Sequence, residues 1–211
     1  MVKLYILRHA ESQWNPIGRY QGLLDPELSD IGKEQAKRLG EYFRDIPIDV
    51  IYSSPLKRTM QTAIEVARAK GLEVLPEKRL IEIDHGVWSG LLVDEVQSRF
   101  PEQFRQWLEE PHSVHFEGGE SLQEVFGRVK DFLEDIREKH WGQVVAVVSH
   151  TVPIRAMYCA LLKVDLSKFW SFGCDNASYS LIHMERDRNV IMRLNITCQL
   201  GDFYVEAHKA L

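Results

Sequence analysis

The chain has 211 residues, of which 45% are hydrophobic and 27% charged; that is enough apolar material for a packed core and excludes a disordered chain. A formal charge of −5 leaves no cationic surface to release counterions from a nucleic acid backbone, so no nucleic acid partner is expected. No apolar run approaches the roughly 20 residues of a membrane span, and Cys159, Cys174 and Cys198 suit neither a disulfide framework nor a CxxC metal site, so a cytoplasmic protein with reduced, mostly buried thiols and no membrane partner is expected.

Residues 2–7 are apolar with β-branched and aromatic members and read as a buried strand. Ser29 caps a helix whose positions Ile31, Leu39, Tyr42, Phe43 and Ile46 follow the 3.6-residue period, and residues 50–52 read as a second strand, completing a βαβ unit. Ser54-Pro55 forms an N-cap and first-turn pair for a helix with Leu56, Met60, Ala63, Ile64 and Ala67 on its buried stripe. From about 91 to 115 the pattern breaks into short helical pieces at Pro101 and Pro111, anchored by Phe100, Phe104, Trp107 and Leu108; this is expected to be a helical flap over the sheet. Ser121 and Glu124 make a capping box, followed by Leu122, Val125, Phe126, Val129, Phe132, Leu133 and Ile136 at helical spacing. Residues 144–148 are continuously apolar, as in a strand covered on both faces, and a further helix opens near Thr151 with Pro153 in its first turn. Residues 178–184 and 190–196 read as a late hairpin. With no repeat or linker, one α/β domain over 1–211 with a mostly parallel sheet is expected.

Chemistry collects at three strand-to-helix junctions: Arg8 and His9 after the first strand, Arg58 one turn into the helix after the second, and Ser149-His150 after the 144–148 run. The carboxyl ends of parallel strands lie along one sheet edge, where open α/β folds bind ligands and helix N-termini add a positive dipole. Alone, each Arg or His would be an ordinary loop residue. Three coincident junctions point to an anion site, and phosphate fits it best, because guanidinium forks grip non-bridging oxygens in pairs. A histidine there can act as nucleophile, acid, base or metal ligand. His9, Glu82, His85 and His150 are the conceivable metal set, but Arg8 and Arg58 would oppose a cation, so no metal and no cofactor is expected.

Leu7-Arg8-His9-Ala10-Glu11-Ser12, Trp14-Asn15, Gly18-Arg19 and Gln21-Gly22 resemble the signature of the histidine phosphatase, or phosphoglycerate-mutase-like, superfamily. The resemblance continues in Leu28-Ser29 with Gly32 and Gln35-Ala36, in Ser53 to Arg58 with Gln61-Thr62-Ala63, in Gly118-Gly119-Glu120-Ser121 and in Val148-Ser149-His150, nearly the whole chain. It implies a mixed, mainly parallel sheet flanked by helices on both faces. It also implies that His9 becomes a phosphohistidine, that Arg8, Arg58 and a protonated His150 clamp the phosphoryl group, and that Glu82 is the general acid. Asp84 is the nearest rival for that last role. Asn15, Gln21, Gly22 and Thr151 are then pocket residues. Such chemistry requires His9 neutral at the attacking nitrogen, with its other N–H fixed by an acceptor such as a backbone carbonyl. Two arginines and an imidazolium would stabilise the transferring group without metal.

The stretch after the acid holds Arg99 and Arg105 but no paired arginines of the kind family mutases carry, which favours water as acceptor. Beside the acid, His85 is expected to meet a substrate carboxylate and Asp84 or a neighbouring acid its ammonium, a combination that suits phosphoserine. Residues 81–90, 149–159 and 198–211 resemble the metal-independent phosphoserine phosphatases, which implies a small-molecule phosphomonoester substrate and a place in serine biosynthesis. The alternatives are an α-ribazole or broad-specificity phosphatase, then a phosphoglycerate mutase, and, outside catalysis, a phosphate-binding partner subunit. The apolar tail at 200–208 is expected to pack on the pocket rim or a second subunit, and a homodimer is expected.

Overall fold

The structure, a computed structural model, describes residues 1–206; the last part of the tail, including His208, lies outside them. Strands β1 (Val2–Arg8), β2 (Val50–Ser53), β3 (Val74–Pro76), β4 (Val144–Ser149), β5 (Tyr179–Met184) and β6 (Asn189–Ile196) form one sheet in the order β3-β2-β4-β1-β5-β6. The first three pairings in that order, β3-β2, β2-β4 and β4-β1, are parallel; β1-β5 and β5-β6 are antiparallel, so the sheet is mixed.

Alternation along the central strands explains why helices cover both faces. Leu4, Ile6, Val145 and Val147 face a core built with α5 (Leu122–Lys139) and α6 (Thr151–Leu162). Leu7, Ala146 and Val148 face one built with Leu39 and Phe43 of α1 (Asp30–Phe43) and with Ala63, Val66 and Ala67 of α2 (Lys57–Arg68). Ser29 caps α1 by accepting from the Gly32 N–H, and Ser121 with Glu124 forms the expected capping box of α5.

Several expectations need correction. Ser54 does not cap α2, which starts at Lys57 after an uncapped Leu56; the Ser54 hydroxyl meets His150 instead, at 2.8 Å. Arg58 is therefore the second residue of the helix rather than a turn further in. The α1 helix stops before Ile46, and Ile31, Tyr42, Ile64 and Leu108 are exposed. Strand β3 was not expected, because three residues ending in Pro76 carry no period and suit only a sheet edge. Cys159 and Cys174 are buried, whereas Cys198 is exposed.

The 91–115 segment holds α3 (Val93–Arg99) and α4 (Pro101–Glu109) and the short turn Pro111–Ser113. Val96, Phe104 and Trp107 bury into the α5–α6 core. The described tail, a 3₁₀ stretch at Cys198–Phe203, lies on α1: Leu200 packs with Ala10, Leu28 and Ala36, and Gln35 Nε2 donates to the Phe203 carbonyl. Tyr204 and Val205 beyond it are exposed.

Candidate active site

Strand register sets the site. Arg8 pairs with Ser149 and Ser53 with Val148, so the carboxyl ends of β1, β2 and β4 are level and deliver Arg8-His9, Ser54 and Ser149-His150 to one sheet edge. The segment after β1 is then held from several sides. His9 N–H donates to the Ser149 carbonyl, the His9 carbonyl accepts from Ala177 N–H and Asn176 Nδ2, and Ala10 N–H donates to Thr62 Oγ1. Glu11 N–H donates to Gln35 Oε1, while a Cβ on Gly32 would sit 1.9 Å from the Glu11 carbonyl oxygen. Gly32 and Gln35 thus support the His9 loop without touching a ligand.

Arg8, His9, Asn15, Gln21, Gly22, Arg58, Glu82, His85 and Thr151 line one cleft. His9 Nδ1 lies 2.7 Å from the Ala10 carbonyl oxygen, which makes Nδ1 the protonated nitrogen and leaves Nε2 with the lone pair. Burial, then the Arg58 and Arg8 charges, hold its pKa well below the ordinary imidazole value. The His9 ring is therefore neutral.

Arg58 donates from Nη1 to the Leu24 carbonyl, from Nη2 to the Gly22 carbonyl and from Nε to His150 Nδ1 at 3.2 Å. Burial pulls its pKa down to about 10, which still leaves it charged at neutral pH. Arg8 Nη1 donates to the Cys174 carbonyl at 2.6 Å. Ser12 Oγ lies 2.9 Å from both Asn15 Oδ1 and Gln21 Oε1, which turns the two amide nitrogens away from that hydroxyl.

His150 differs from expectation in its charge. Its ring is 5.2 Å from that of His9, centroid to centroid. With Nδ1 accepting from Arg58, its remaining N–H points to Ser54 Oγ. Burial first, then Arg58 and His9, depress its pKa well below the usual value. His150 is thus a neutral brace for Arg58, because an imidazolium could not accept that bond.

Glu82 faces the cleft with Oε1 accepting from the Ile83 and Val152 N–H groups. Burial raises its pKa against the opposing pull of the Ile83 bond and of Arg58, Arg8 and Arg128, the shift a proton donor needs. Its loop is fixed from behind. Arg128 Nη1 donates to the Arg79 carbonyl and Nη2 to the Glu82 carbonyl, Glu120 Oε2 accepts from Asp84 N–H, and Glu120 N–H donates to the Asp84 carbonyl. Gly119 is required by contact: a Cβ there would meet the Asp84 carbonyl oxygen at 2.2 Å. Asp84 itself turns into its own loop, with Oδ1 accepting from Gly86 N–H, and does not line the cleft. It meets neither a leaving group nor an ammonium from there.

His85 packs by its ring against Tyr20 and Phe116, with centroids at 5.0 Å, and against Trp107 at 6.4 Å. Burial and Arg58 push its pKa down to about 3, so it offers a neutral ring rather than a charge. Arg19, Tyr20, Trp107, Val152 and Trp170 complete the lining. Sequence reasoning gave none of them a site role. Arg19-Tyr20 stand inside the motif run between Gly18 and Gln21, which is the signal that could have found them. Trp107 and Trp170 lie 63 positions apart and meet only in the fold, where Trp170 Nε1 donates to the Trp107 carbonyl. Among the described residues, no group of three His, Cys, Asp or Glu side chains is placed to hold a metal ion.

The model of the histidine phosphatase superfamily (branch 1) matches residues 4–197. A protein of Hydrogenobacter thermophilus named phosphoserine phosphatase 1 is 70% identical over 211 residues, 100% of either chain. Among solved structures, YhfR of Bacillus stearothermophilus superposes with a TM-score of 0.90 at 27% identity, covering 95% of this chain and 100% of its own. A phosphoserine phosphatase mutant from Entamoeba histolytica in complex with phosphoserine superposes with a TM-score of 0.85 at 26% identity, again over 95% and 100%.

Proposed function

The chain belongs to the histidine phosphatase superfamily, branch 1, and from that premise we propose that it is a metal-independent phosphomonoesterase that hydrolyses phosphoserine to serine and phosphate through a phosphohistidine at His9. The observation that carries the chemistry is the locked tautomer of His9, whose Nε2 lone pair stands in a cleft with two arginines and a buried carboxyl. The substrate follows from the relative that is 70% identical along its whole length and is named for phosphoserine.

Neutral His9 Nε2 attacks phosphorus in line, and the P–O bond to the serine oxygen breaks. Arg8 and Arg58 neutralise the equatorial oxygens as charge moves, the electrostatic help that phosphoryl transfer needs most. Glu82 gives its proton to the departing alkoxide, then takes one from the water that attacks the phosphohistidine, so each turnover regenerates both groups. His150 holds Arg58 in place, Gly22 gives Arg58 its carbonyl, and Asn15, Gln21 and Thr151 line the pocket. Neither cation of the α3–α4 stretch reaches the cleft lining: Arg99 lies over the Phe100 ring, and Arg105 bridges Glu102 and Glu109. That supports water, rather than a second phosphorylated substrate, as acceptor.

A single domain acting in the cytoplasm, within serine biosynthesis and as a homodimer, is part of the same reading. Three free thiols suit a reducing compartment. No helix among the described residues is long and apolar enough to cross a membrane, and the exposed Tyr204 and Val205 suit a subunit contact.

The test is phosphate release, with EDTA present, from phosphoserine, phosphothreonine, 3-phosphoglycerate and α-ribazole phosphate. Phosphoserine should give the highest kcat/KM, and His9→Ala should abolish both turnover and acid-labile labelling. An active His9→Ala variant would refute the mechanism, and preference for another member of the panel would refute the substrate.

A further inference from the structure

Arg8 and Arg58 are held unequally. Arg58 donates to three acceptors, whereas Arg8 is fastened by one bond, from Nη1 to the Cys174 carbonyl at 2.6 Å, and its Nε is buried with no partner. Whatever fixes that carbonyl therefore fixes the Arg8 guanidinium. Cys174 stands between the 3₁₀ turn at Leu166–Ser171 and β5, in no regular element. Backbone of that kind takes its position from the side chains that bind it.

Two side chains bind it on either side of Cys174. Beyond Cys174, Asn195 accepts from the Asp175 N–H at 2.8 Å through Oδ1 and donates from Nδ2 to Asp175 Oδ2 at 2.9 Å. Before it, Arg155 of α6 donates from Nε to the Phe172 carbonyl at 2.9 Å. The Arg155 guanidinium carbon also lies 4.6 Å from the centroid of the Trp170 ring and 5.5 Å from that of Phe169. The same side chain thus backs an indole that lines the cleft.

Packing alone does not call for an arginine at position 155. Its Nη1 is buried with no acceptor, and among the described residues it forms no ion pair, unlike Arg128, which takes Glu120. A buried cation in that state is unfavourable, and a methionine would fill the space against two aromatic rings without the penalty. What the guanidinium adds is the directed bond to Phe172 and a flat face for Trp170. We infer that Arg155 is a positioning residue for phosphoryl transfer: by fastening the backbone at 172–174 to α6, it sets the carbonyl that orients Arg8. This rests on the proposal that Arg8 neutralises the transferring phosphoryl group.

The experiment is a double-mutant cycle of Arg155→Met and Arg8→Gln, with circular dichroism to check that the variants fold. Each protein is assayed on O-phosphoserine and on 4-nitrophenyl phosphate, which share the phosphoryl group and little else. Arg155→Met should lower kcat/KM roughly 10-fold on both substrates alike, the scale of one lost hydrogen bond. Inhibition by orthovanadate, a mimic of the transferring group, should weaken by a similar factor. In the Arg8→Gln background the same change should cost less than about twofold, and Arg155→Lys, which keeps a donor for the Phe172 carbonyl, should recover part of the loss. Equal losses in the two backgrounds, a loss confined to phosphoserine, or no loss at all overturns the assignment. The first would make Arg155 a support of the fold at large, and the second a support of the Trp170 wall alone. Should Arg155→Met not fold, Arg155→Gln takes its place in the cycle. An Arg8→Gln variant as active as wild type would bring down the phosphoryl clamp and this proposal with it, whereas equal losses beside an impaired Arg8→Gln would bring down this proposal alone.

Discussion

Acid should unfold this protein through its own active site. His9, His85 and His150 are fully buried and neutral, each with a folded pKa below the unfolded value of 6.5. A depressed pKa gives stability that is present above the unfolded value and lost as pH falls through the folded one. Below 6.5 the unfolded chain therefore binds three protons that the native state refuses, until pH nears the folded values, about 3 in the case of His85. At roughly 1.4 kcal/mol per proton and pH unit, this is a slope of about 4 kcal/mol per unit. Glu82 opposes it. Its folded pKa lies above the unfolded 4.5, so between those two values the native state keeps a proton that the unfolded chain has lost, and the slope there is smaller by about 1.4 kcal/mol per unit. Three such protons over a single pH unit remove about 4 kcal/mol, close to the low end of the whole stability of a typical domain. Urea unfolding at half-unit steps from pH 7.5 to 4.5, followed by circular dichroism, measures the slope. Two variants identify its source: Glu82→Gln should steepen it toward the three-proton value, and His85→Phe, which keeps a ring among Tyr20, Trp107 and Phe116, should shrink it by one proton. A slope near zero, or one that neither variant moves, would refute the argument that these rings are neutral in the folded protein.

Glu82→Gln also tests the acid. The amide oxygen can still accept from Ile83 and Val152 N–H, so the loop should survive while proton donation is lost. Turnover of phosphoserine should fall about 10²- to 10⁴-fold, and turnover of 4-nitrophenyl phosphate, whose leaving group needs no proton, by far less; equal losses would remove Glu82 from the role. In wild type, the phosphoserine rate should decline at high pH as the raised Glu82 pKa is passed, and that limb should vanish in the variant. Gly119→Ala would press a methyl against the Asp84 carbonyl, so a thermal scan should show a loss of about 1–3 kcal/mol and kinetics a lower kcat, because the displaced backbone carries Glu82. A variant with wild-type melting would show that this contact yields without cost.

What the sequence made legible was whatever is local or periodic. The strand at 144–148, the Ser121–Glu124 box and the alignment of Arg8, His9 and Arg58 at strand ends all follow from spacing, and the structure brings those three residues with Glu82 into one cleft. The motif residues that bind nothing are explained only by contact: Gly32, Gln35 and Thr62 hold the His9 loop, and Gly119 and Glu120 hold the Glu82 loop. What was illegible depends on partners distant in sequence. Ser54 looks like a helix cap until His150, 96 positions on, claims its hydroxyl. His150 looks like an imidazolium until Arg58 donates to it. Trp107 and Trp170 have no shared pattern at all, since tertiary packing alone makes them neighbours.

These corrections change how the site stores its electrostatics. The expected arrangement placed a protonated His150 beside two arginines, three cations around one nucleophile; the observed one keeps both histidines neutral and lets burial and the arginines do so jointly. The same charges that deprotonate His9 in the free cleft are those a phosphoryl group would compensate. When the dianion sits between Arg8 and Arg58, their repulsion of a positive imidazole is offset, while the Ala10 carbonyl, which raises the His9 pKa, still accepts from Nδ1. The cationic ring of a phosphohistidine is therefore disfavoured without its phosphoryl group and supported with it. In the proposed mechanism Arg8 and Arg58 therefore act twice, first adding to burial in holding the nucleophile unprotonated and then stabilising the group it receives.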